Sequence, residues 1–206
     1  MRKFRCFMNY DKEEKWLNDM AKKGYGLKNA DCFGYEFYST KPENATIRID
    51  YRNFNSKKTF VDYCMLFQDS GWQHIVGSKF SGTQYFKKTD ENGEDDIFSD
   101  VISKAGKYKR LSNMYITMAV CYLCLVISLS SNGSVNTKAL LNPKLMYYTP
   151  GLWQATGIHF WVSFIFETPF AILRGYMWVI MIIITILMIY YSIKSKKLYD
   201  KQRKLK

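Results

Sequence analysis

Residues 176–193 are the stretch that most constrains how this chain can fold. Their sequence, YMWVIMIIITILMIYYSI, contains no charged side chain. As a helix they extend about 27 Å, close to the ~30 Å hydrocarbon core of a bilayer. Three lysines follow within four residues, at positions 194, 196 and 197. A long uncharged stretch that ends in lysines is typical of a membrane-spanning helix, so every other segment must be placed relative to a membrane.

A second uncharged stretch, LSNMYITMAVCYLCLVISLS, occupies residues 111–130. Four basic residues lie just before it: Lys104, Lys107, Lys109 and Arg110. Because basic residues collect on the cytoplasmic side of spans, this cluster and the basic tail are both expected in the cytoplasm, which requires an even number of crossings. The first residues carry no signal-peptide pattern. We therefore predict a multi-pass protein of the cell membrane, a two-helix transmembrane hairpin with both termini cytoplasmic.

The positive charge of the chain surrounds these apolar stretches. The formal net charge is +12, yet residues 1–100 contain sixteen basic and sixteen acidic side chains. Residues 101–206 contain fourteen basic side chains against only Glu167 and Asp200. This distribution favours anionic lipid head groups over nucleic acid as the partner of the charges. The bilayer is the expected partner, and direct binding of nucleic acid is not expected.

Six segments follow from these features. They are a cytoplasmic domain at 1–88, an acidic and then basic linker at 89–110, a first span at 111–130, an extracytoplasmic connector at 131–175, a second span at 176–193, and a basic cytoplasmic tail at 194–206.

The connector contains a second apolar and aromatic run, IHFWVSFIFETPFAIL, at residues 158–173. A third span there would place the two basic clusters on opposite sides of the membrane. The run is therefore interpreted as an interfacial or re-entrant segment. It is also the expected site at which an external signal arrives, with His159, Trp161 and Glu167 as candidate sensing residues.

The first 88 residues alternate between strand and helix signals. Asn9 and Asp11 are expected to cap the first helix, and Gly24 is expected to end it. The predicted elements are strand 4–8, helix 12–23, strands 32–38 and 45–54, helix 55–69, and strand 74–87 with a bend at residues 81–82.

The two halves of this domain repeat at a constant offset of 47 residues. The matched pairs include Arg5 and Arg52, Phe7 and Phe54, Trp16 and Tyr63, Gly24 and Gly71, and Phe33 and Phe80. Two βαβ halves related in this way predict an α+β fold. The expected domain is a pseudo-duplicated, ferredoxin-like βαββαβ sandwich, with a four-stranded antiparallel sheet and both helices on one face.

One face of the predicted sheet is cationic and aromatic. Alternation along the strands directs Phe4, Ile49 and their same-face neighbours toward the helices and leaves the opposite face open. The candidate partner-binding residues on the open face are Arg5, Phe7, Arg48, Arg52 and Phe54. Alternative occupants are a second copy of the chain, the membrane module, a small ligand or a peptide. RNA is a further alternative, although the signature of an RNA-recognition motif is absent.

The sequence contains no familiar catalytic motif. Cys121 and Cys124 have C-x-x-C spacing but lack the second ligand pair that a zinc site needs. Cys64 has no histidine near it in the sequence, and His74 and His159 fall on opposite sides of the predicted membrane. We therefore expect a protein that is not an enzyme and that holds no metal or cofactor.

Several short motifs together resemble a known family. They are FRCF at 4–7, W-L-x-x-M-x-x-x-G-Y at 16–25, YEF at 35–37 and RIDY at 48–51. The chain resembles, over residues 4–110, the bacterial membrane-protein family catalogued as domain of unknown function 2812. The resemblance implies a following pair of membrane spans. Members are often encoded beside PadR-like transcriptional regulators, which implies a regulatory or envelope-stress role but supplies no binding residues.

These observations lead to three functional hypotheses. The first is a membrane-anchored regulatory or sensor protein whose cytoplasmic domain binds a protein partner, a PadR-like regulator being the implied example. The second is a resistance or immunity protein against membrane-active compounds, acting through residues 158–173 and the spans. The third is a small-ligand-binding module formed between the sheets of a homodimer.

Overall fold

The structure is a computed structural model that describes residues 1–31, 34–90, 93–132 and 138–204. Cys32 and Phe33 lie outside the described residues, as do parts of the predicted linker, connector and tail. The chain divides into two compact units, one of residues 1–112 and 194–206 and one of residues 113–193. Each unit is described by itself.

The first unit contains two consecutive strand–helix–strand–strand segments. Its elements are β1 (Arg2–Lys3), α1 (Tyr10–Lys22), β2 (Tyr25–Asp31), β3 (Gly34–Ser39), β4 (Ile47–Tyr51), α2 (Lys57–Asp69), β5 (Trp72–Val76) and β6 (Thr83–Lys88). Helices α1 and α2 have 13 residues each and begin at Tyr10 and Lys57. The interval is 47 residues, and β2 and β5 begin at the same interval, at Tyr25 and Trp72.

The six strands form two small antiparallel sheets rather than the single four-stranded sheet that we predicted. The strand orders are β1-β3-β2 in sheet A and β4-β6-β5 in sheet B. The difference arises at two hairpins. Residues 25–31 form a strand that the sequence pattern did not reveal, and the run predicted as one strand at 74–87 reverses between Gly77 and Gly82, whose φ angles are +128° and +74°. The fold is α+β, and the ferredoxin-like arrangement is not confirmed.

Local end signals place both helices close to their predicted positions. Asn9 caps α1, because its side-chain oxygen accepts a hydrogen bond from the backbone N–H of Asp11. Gly24 and Gly71 follow the two helices with φ near +80°, a conformation that glycine adopts without steric cost. The strand predicted at 4–8 is wrong, since residues 4–9 form a loop between β1 and α1.

Both faces of sheet B are covered. On one face, helix α2 packs against an aromatic cluster of Phe54, Tyr63, Phe67, Trp72 and Phe86. The opposite face presents Ile49 and Tyr85, which are also buried. The prediction of an open face is therefore wrong for Phe54, because α2 covers the face on which it lies.

Two long helices dominate the C-terminal half of the chain. They are α3 (Val101–Ser131) and α5 (Gly157–Arg203), and a short helix α4 (Lys138–Leu141) and two 3-10 turns (Pro143–Met146 and Leu152–Gln154) lie between them. Both long helices are long and apolar enough to cross a membrane, and only 6% and 11% of their most apolar windows is buried. Such exposed apolar surface indicates contact with a membrane or with another protein.

Helix α5 joins two segments that we predicted to be separate. Residues 158–173 and 176–193 lie in one continuous 47-residue helix, and Pro169 lies inside it without ending it. A re-entrant segment needs a reversal of the chain before residue 176, and α5 contains none. The basic half of the predicted linker likewise forms the first turns of α3.

Candidate functional site at the free edge of strand β4

Strand β4 pairs with β6 along one edge only, and helix α1 satisfies the backbone groups of its other edge. The backbone N–H of Ile47 donates to Asn18 Oδ1 at 2.7 Å, and that of Ile49 donates to Glu14 Oε1 at 3.0 Å. These side chains replace the hydrogen bonds of a missing neighbouring strand. The free edge of a sheet, which could otherwise pair with another chain, is thereby closed.

The first turns of α3 complete this edge. Lys107 Nζ donates to Glu14 Oε1 at 3.0 Å and to the carbonyl oxygen of Ile49 at 3.2 Å. Lys107 is only 1% exposed and Glu14 only 6%. Breaking such a buried pair by removing one partner typically costs about 3–5 kcal/mol. The interaction therefore fixes the position of the first turns of α3 on the α/β domain.

Asp50, on strand β4, is a second buried carboxylate, and its partner on α3 lies about one turn after Lys107. The Arg110 guanidinium donates to Asp50 Oδ1 and to the carbonyl oxygen of Tyr51, each at 2.5 Å. The Tyr63 hydroxyl, from α2, donates to Asp50 Oδ2 at 2.8 Å. Asp50 therefore links strand β4 to both α2 and α3.

Tyr108, which is fully buried, adds a neutral contact between α3 and the start of α1. Its hydroxyl donates to Asn9 Oδ1 and accepts a hydrogen bond from the backbone N–H of Tyr10, both at 3.1 Å. Burial raises the pKa of Tyr108 above its usual range, so this hydroxyl stays protonated at physiological pH.

Glu13 is a second buried acid of α1, and no ion pair is recorded for it among the described residues. It is 2% exposed, and its Oε1 accepts a hydrogen bond from the Tyr85 hydroxyl at 2.7 Å. Burial raises the pKa of Glu13 to about 7, because the charged carboxylate is poorly solvated there. Burial also raises the pKa of Glu14, and the nearby Lys107 opposes that shift.

The C-terminal end of α5 contacts the same end of α1. Gln202 Nε2 donates to the two carboxylate oxygens of Asp11 at 3.2 and 3.0 Å. The first unit thus holds the start of α3 and the end of α5 beside residues 9–14. Chemically, this arrangement binds and positions helices through buried charges and side-chain hydrogen bonds.

The chain was compared with known protein families, curated proteins and solved structures. A family model described as Protein of unknown function (DUF2812) matches residues 9–120. The chain belongs to this family. The matched region begins at the cap of α1 and includes every α3 residue that contacts β4. No curated protein and no solved structure matches the chain.

In the first unit, four of the five predicted partner-binding residues belong to two similar clusters. Arg5 lies over the rings of Phe7 and Trp16, at 5.6 and 5.3 Å from their centroids. Arg52 lies over the rings of Phe54 and Tyr63, at 5.7 and 5.4 Å. Both arginines are exposed, so each aromatic pair carries a solvent-facing cation. Arg48 is not part of either cluster; its Nε lies 3.8 Å from Glu14 Oε2.

The predicted sensing residues lie apart from the family region, in the second unit. His159 and Trp161 are exposed on α5. Glu167 is buried, and its carboxylate accepts hydrogen bonds from the backbone N–H groups of Tyr148 and of Thr149, the latter at 2.9 Å. Arg174 lies 3.7 Å from the same carboxylate. Glu167 therefore holds the loop at residues 148–149 against α5.

Metal ligands are not gathered anywhere in the part of the chain that the structure describes. No group of three or more His, Cys, Asp or Glu side chains there is arranged to hold a metal ion. His74 Nε2 lies 2.9 Å from Gln84 Oε1, and its ring packs on Phe60 and Phe86.

Sequence reasoning missed the residues that form the site: Glu13, Glu14, Lys107 and Tyr108. One signal was available, because Glu13 and Glu14 lie on the apolar stripe of α1, between Tyr10 and Leu17, where acids are rarely buried without a partner. The partner, Lys107, is 93 residues away in the chain, and no local pattern indicates it.

Proposed function

We propose that this protein is a membrane-anchored regulator or sensor that transmits changes in its membrane helices to a cytoplasmic α/β domain. The observation that carries the proposal is the continuity of α3. One helix contains both the buried Lys107 and Arg110 contacts to β4 and the exposed apolar stretch that can cross a membrane. Because a helix is stiff over this length, a shift of the span would move the edge of sheet B.

The proposed topology is a hairpin with the domain and both termini in the cytoplasm. Two features support it. Both basic clusters adjoin the cytoplasmic ends of the proposed spans. In addition, residues 194–206 belong to the same compact unit as residues 1–112, so a membrane between them would have to split that unit.

The proposed partner surface consists of the two arginine-capped clusters, Arg5 with Phe7 and Trp16, and Arg52 with Phe54 and Tyr63. We propose that residues 1–88 are an internal duplication, supported by the 47-residue interval and by the similar cluster geometry. Exposed guanidinium groups on aromatic platforms suit an acidic or aromatic protein surface. A PadR-like regulator is the proposed partner.

Co-purification tests this surface. The full-length protein, tagged and extracted in detergent, is expected to retain a PadR-like regulator of the same bacterium, and Arg5→Glu with Arg52→Glu is expected to abolish retention. The matched control is Lys12→Glu with Lys58→Glu, which reverses two exposed cations outside the clusters. Equal retention by all three proteins would exclude the clusters as the binding surface.

A small-ligand site is a second candidate function, favoured by one cavity. A space of about 470 Å3 is lined by residues from β2 of sheet A and from the β5–β6 hairpin of sheet B, with Tyr85 among them. Tyr85 connects this space to the buried Glu13. Thermal-shift screening of the full-length protein against small metabolites tests this candidate, and Tyr85→Phe should weaken any stabilisation found.

A further inference from the structure

The apolar part of helix α5 is longer than the hydrocarbon core of a bilayer. Residues 157–193 lie in one continuous helix and include only two charged side chains, Glu167 and Arg174. This part of the helix is about 55 Å long, whereas the hydrocarbon core is about 30 Å thick. Even at a steep tilt of about 40° it would extend about 42 Å along the membrane normal. Some of it must therefore lie outside the hydrocarbon core.

The excess length belongs to the first half of α5, residues 157–174. Both charged side chains lie in this half, and charges are costly in hydrocarbon. The same half packs against a connector that carries two lysines. Glu167 accepts a hydrogen bond from the Thr149 N–H at 2.9 Å, and Arg174 donates one to the Met146 carbonyl oxygen at 2.6 Å. Residues 157–174 are therefore expected to lie in water rather than in lipid.

One side of this half carries a regular row of β-branched residues. All four of its isoleucine and valine residues belong to the row: Ile158, Val162, Ile165 and Ile172. They are between 51% and 75% exposed. Their spacings of four, three and seven residues place them on one side of a helix, and the exposed Pro169 occupies the remaining position of the repeat. We call these four residues the β-branched seam.

The connector covers the opposite side of the same half. Glu167 lies two residues after Ile165, which is about 200° around the helix, and it is buried. Ala171 is buried as well, in a cluster with Ala139 and Met146. The β-branched seam, in contrast, stays exposed in the described part of the chain. An apolar row of this length in water indicates a surface that binds protein.

The spacing and the lack of charge fit a second copy of the chain. Copies inserted in one membrane share one orientation, so a two-fold axis along the membrane normal brings identical residues of two α5 helices face to face. Such a contact excludes charge, and the seam contains none. Apolar residues that repeat every 3.5 positions are the pattern by which two helices pack side by side. The repeat continues at Ile183, Ile186 and Ile193, which are also exposed.

We propose that α5 pairs in parallel with α5 of a second copy through the β-branched seam, which makes the protein a homodimer. The proposal rests on the membrane anchoring proposed above. Pairing removes the seam from water, and the continued repeat allows the two helices to stay in contact within the bilayer. It also adds an assembly step to the proposed regulator.

Cysteine cross-linking in native membranes tests the pairing. The parent is the full-length protein with its five cysteines replaced by serine, co-expressed as two copies with different tags. Oxidation of Ile165→Cys or Ile172→Cys should link copies with different tags, because residues across such a seam come within disulfide reach. Phe170→Cys is the control, since Phe170 is also exposed but lies about 140° around the helix from Ile165. Linkage at the seam should be at least tenfold faster than at position 170.

Three results would overturn the pairing. They are equal rates at positions 165 and 170, no linkage at either seam position, and a cross-linked product that never carries both tags. Membrane fractionation of the same samples keeps the two proposals separate. A membrane-bound protein with any of these results retains the anchor and loses the pairing, whereas a protein in the soluble fraction contradicts the anchoring itself.

Discussion

Lys107 on α3 donates a hydrogen bond to Glu14 on α1 across a distance of 3.0 Å, and both side chains are buried. Glu14 at the same time accepts the backbone N–H of Ile49 on β4. One ion pair therefore joins a helix that can cross a membrane, a domain helix and the edge of a sheet. The proposed transmission between the long apolar helices and the domain would depend on this ion pair.

The first prediction concerns this ion pair. Lys107→Met leaves the Glu14 carboxylate buried without its cation, so the free energy of unfolding should fall by about 3–5 kcal/mol. Chemical denaturation of the full-length protein in detergent measures the loss. Lys109→Met, which removes an exposed lysine two residues away, is the control and should leave stability nearly unchanged.

A double variant identifies the cause of that loss. Lys107→Met combined with Glu14→Gln removes both charges and keeps an acceptor for the Ile49 N–H, so most of the lost stability should return. If the double variant is as unstable as Lys107→Met alone, the loss comes from packing of the lysine stem and not from an uncompensated carboxylate.

The second prediction is a pH dependence caused by Glu13. Its folded-state pKa of about 7 lies above the ordinary value of 4.5, so the folded protein binds this proton more tightly than the unfolded chain does. Stability from this group is therefore full below pH 4.5, falls as the pH rises toward 7, and stays low above 7. Glu13→Gln cannot ionise and escapes this loss.

Denaturation of both proteins between pH 4.5 and 8 measures the difference. Glu13→Gln should equal the unaltered protein at pH 4.5 and should exceed its free energy of unfolding by about 3 kcal/mol at pH 8. Asp19→Asn, an exposed carboxyl of the same helix, is the control. A constant difference across this range would show that Glu13 has the same pKa in both states.

The third prediction concerns the hydrogen bonds that Glu167 accepts in the second unit. Glu167→Ala removes the acceptor of the Tyr148 and Thr149 backbone N–H groups. Hydrogen exchange at these amides should accelerate roughly tenfold or more, because each lost bond to a carboxylate weakens local structure. His159→Ala, at an exposed position of the same helix, should leave the exchange unchanged. Unchanged exchange in Glu167→Ala would mean that aromatic packing alone holds the connector.

Local signals account for the parts of the fold that the sequence predicted well. The uncharged residues 176–193 lie in a long apolar helix because composition and length alone determine that property. Asn9 caps α1, and Gly24 follows it with positive φ, because each acts on its own neighbours. The family was also recognisable from short motifs in the first 51 residues.

Contacts between residues far apart in the chain explain most of the parts of the fold and the site that the sequence did not predict. Strand alternation placed Phe54 on an open face, but helix α2 covers that face. The β5–β6 hairpin was mistaken for one strand with a bend at Ser81 and Gly82, because a serine–glycine pair marks a bend and a turn equally well. The Lys107 contact to Glu14 has no local signature, so the site could not be predicted.

Alkaline phosphatase fusions in a Gram-negative host test the proposed topology of the hairpin. The enzyme is active only outside the cytoplasm. We predict an inactive fusion after Lys206 and an active fusion after Gln154, which lies between the two long helices. An active fusion after Lys206, or an inactive fusion after Gln154 with equal expression, would exclude the proposed hairpin.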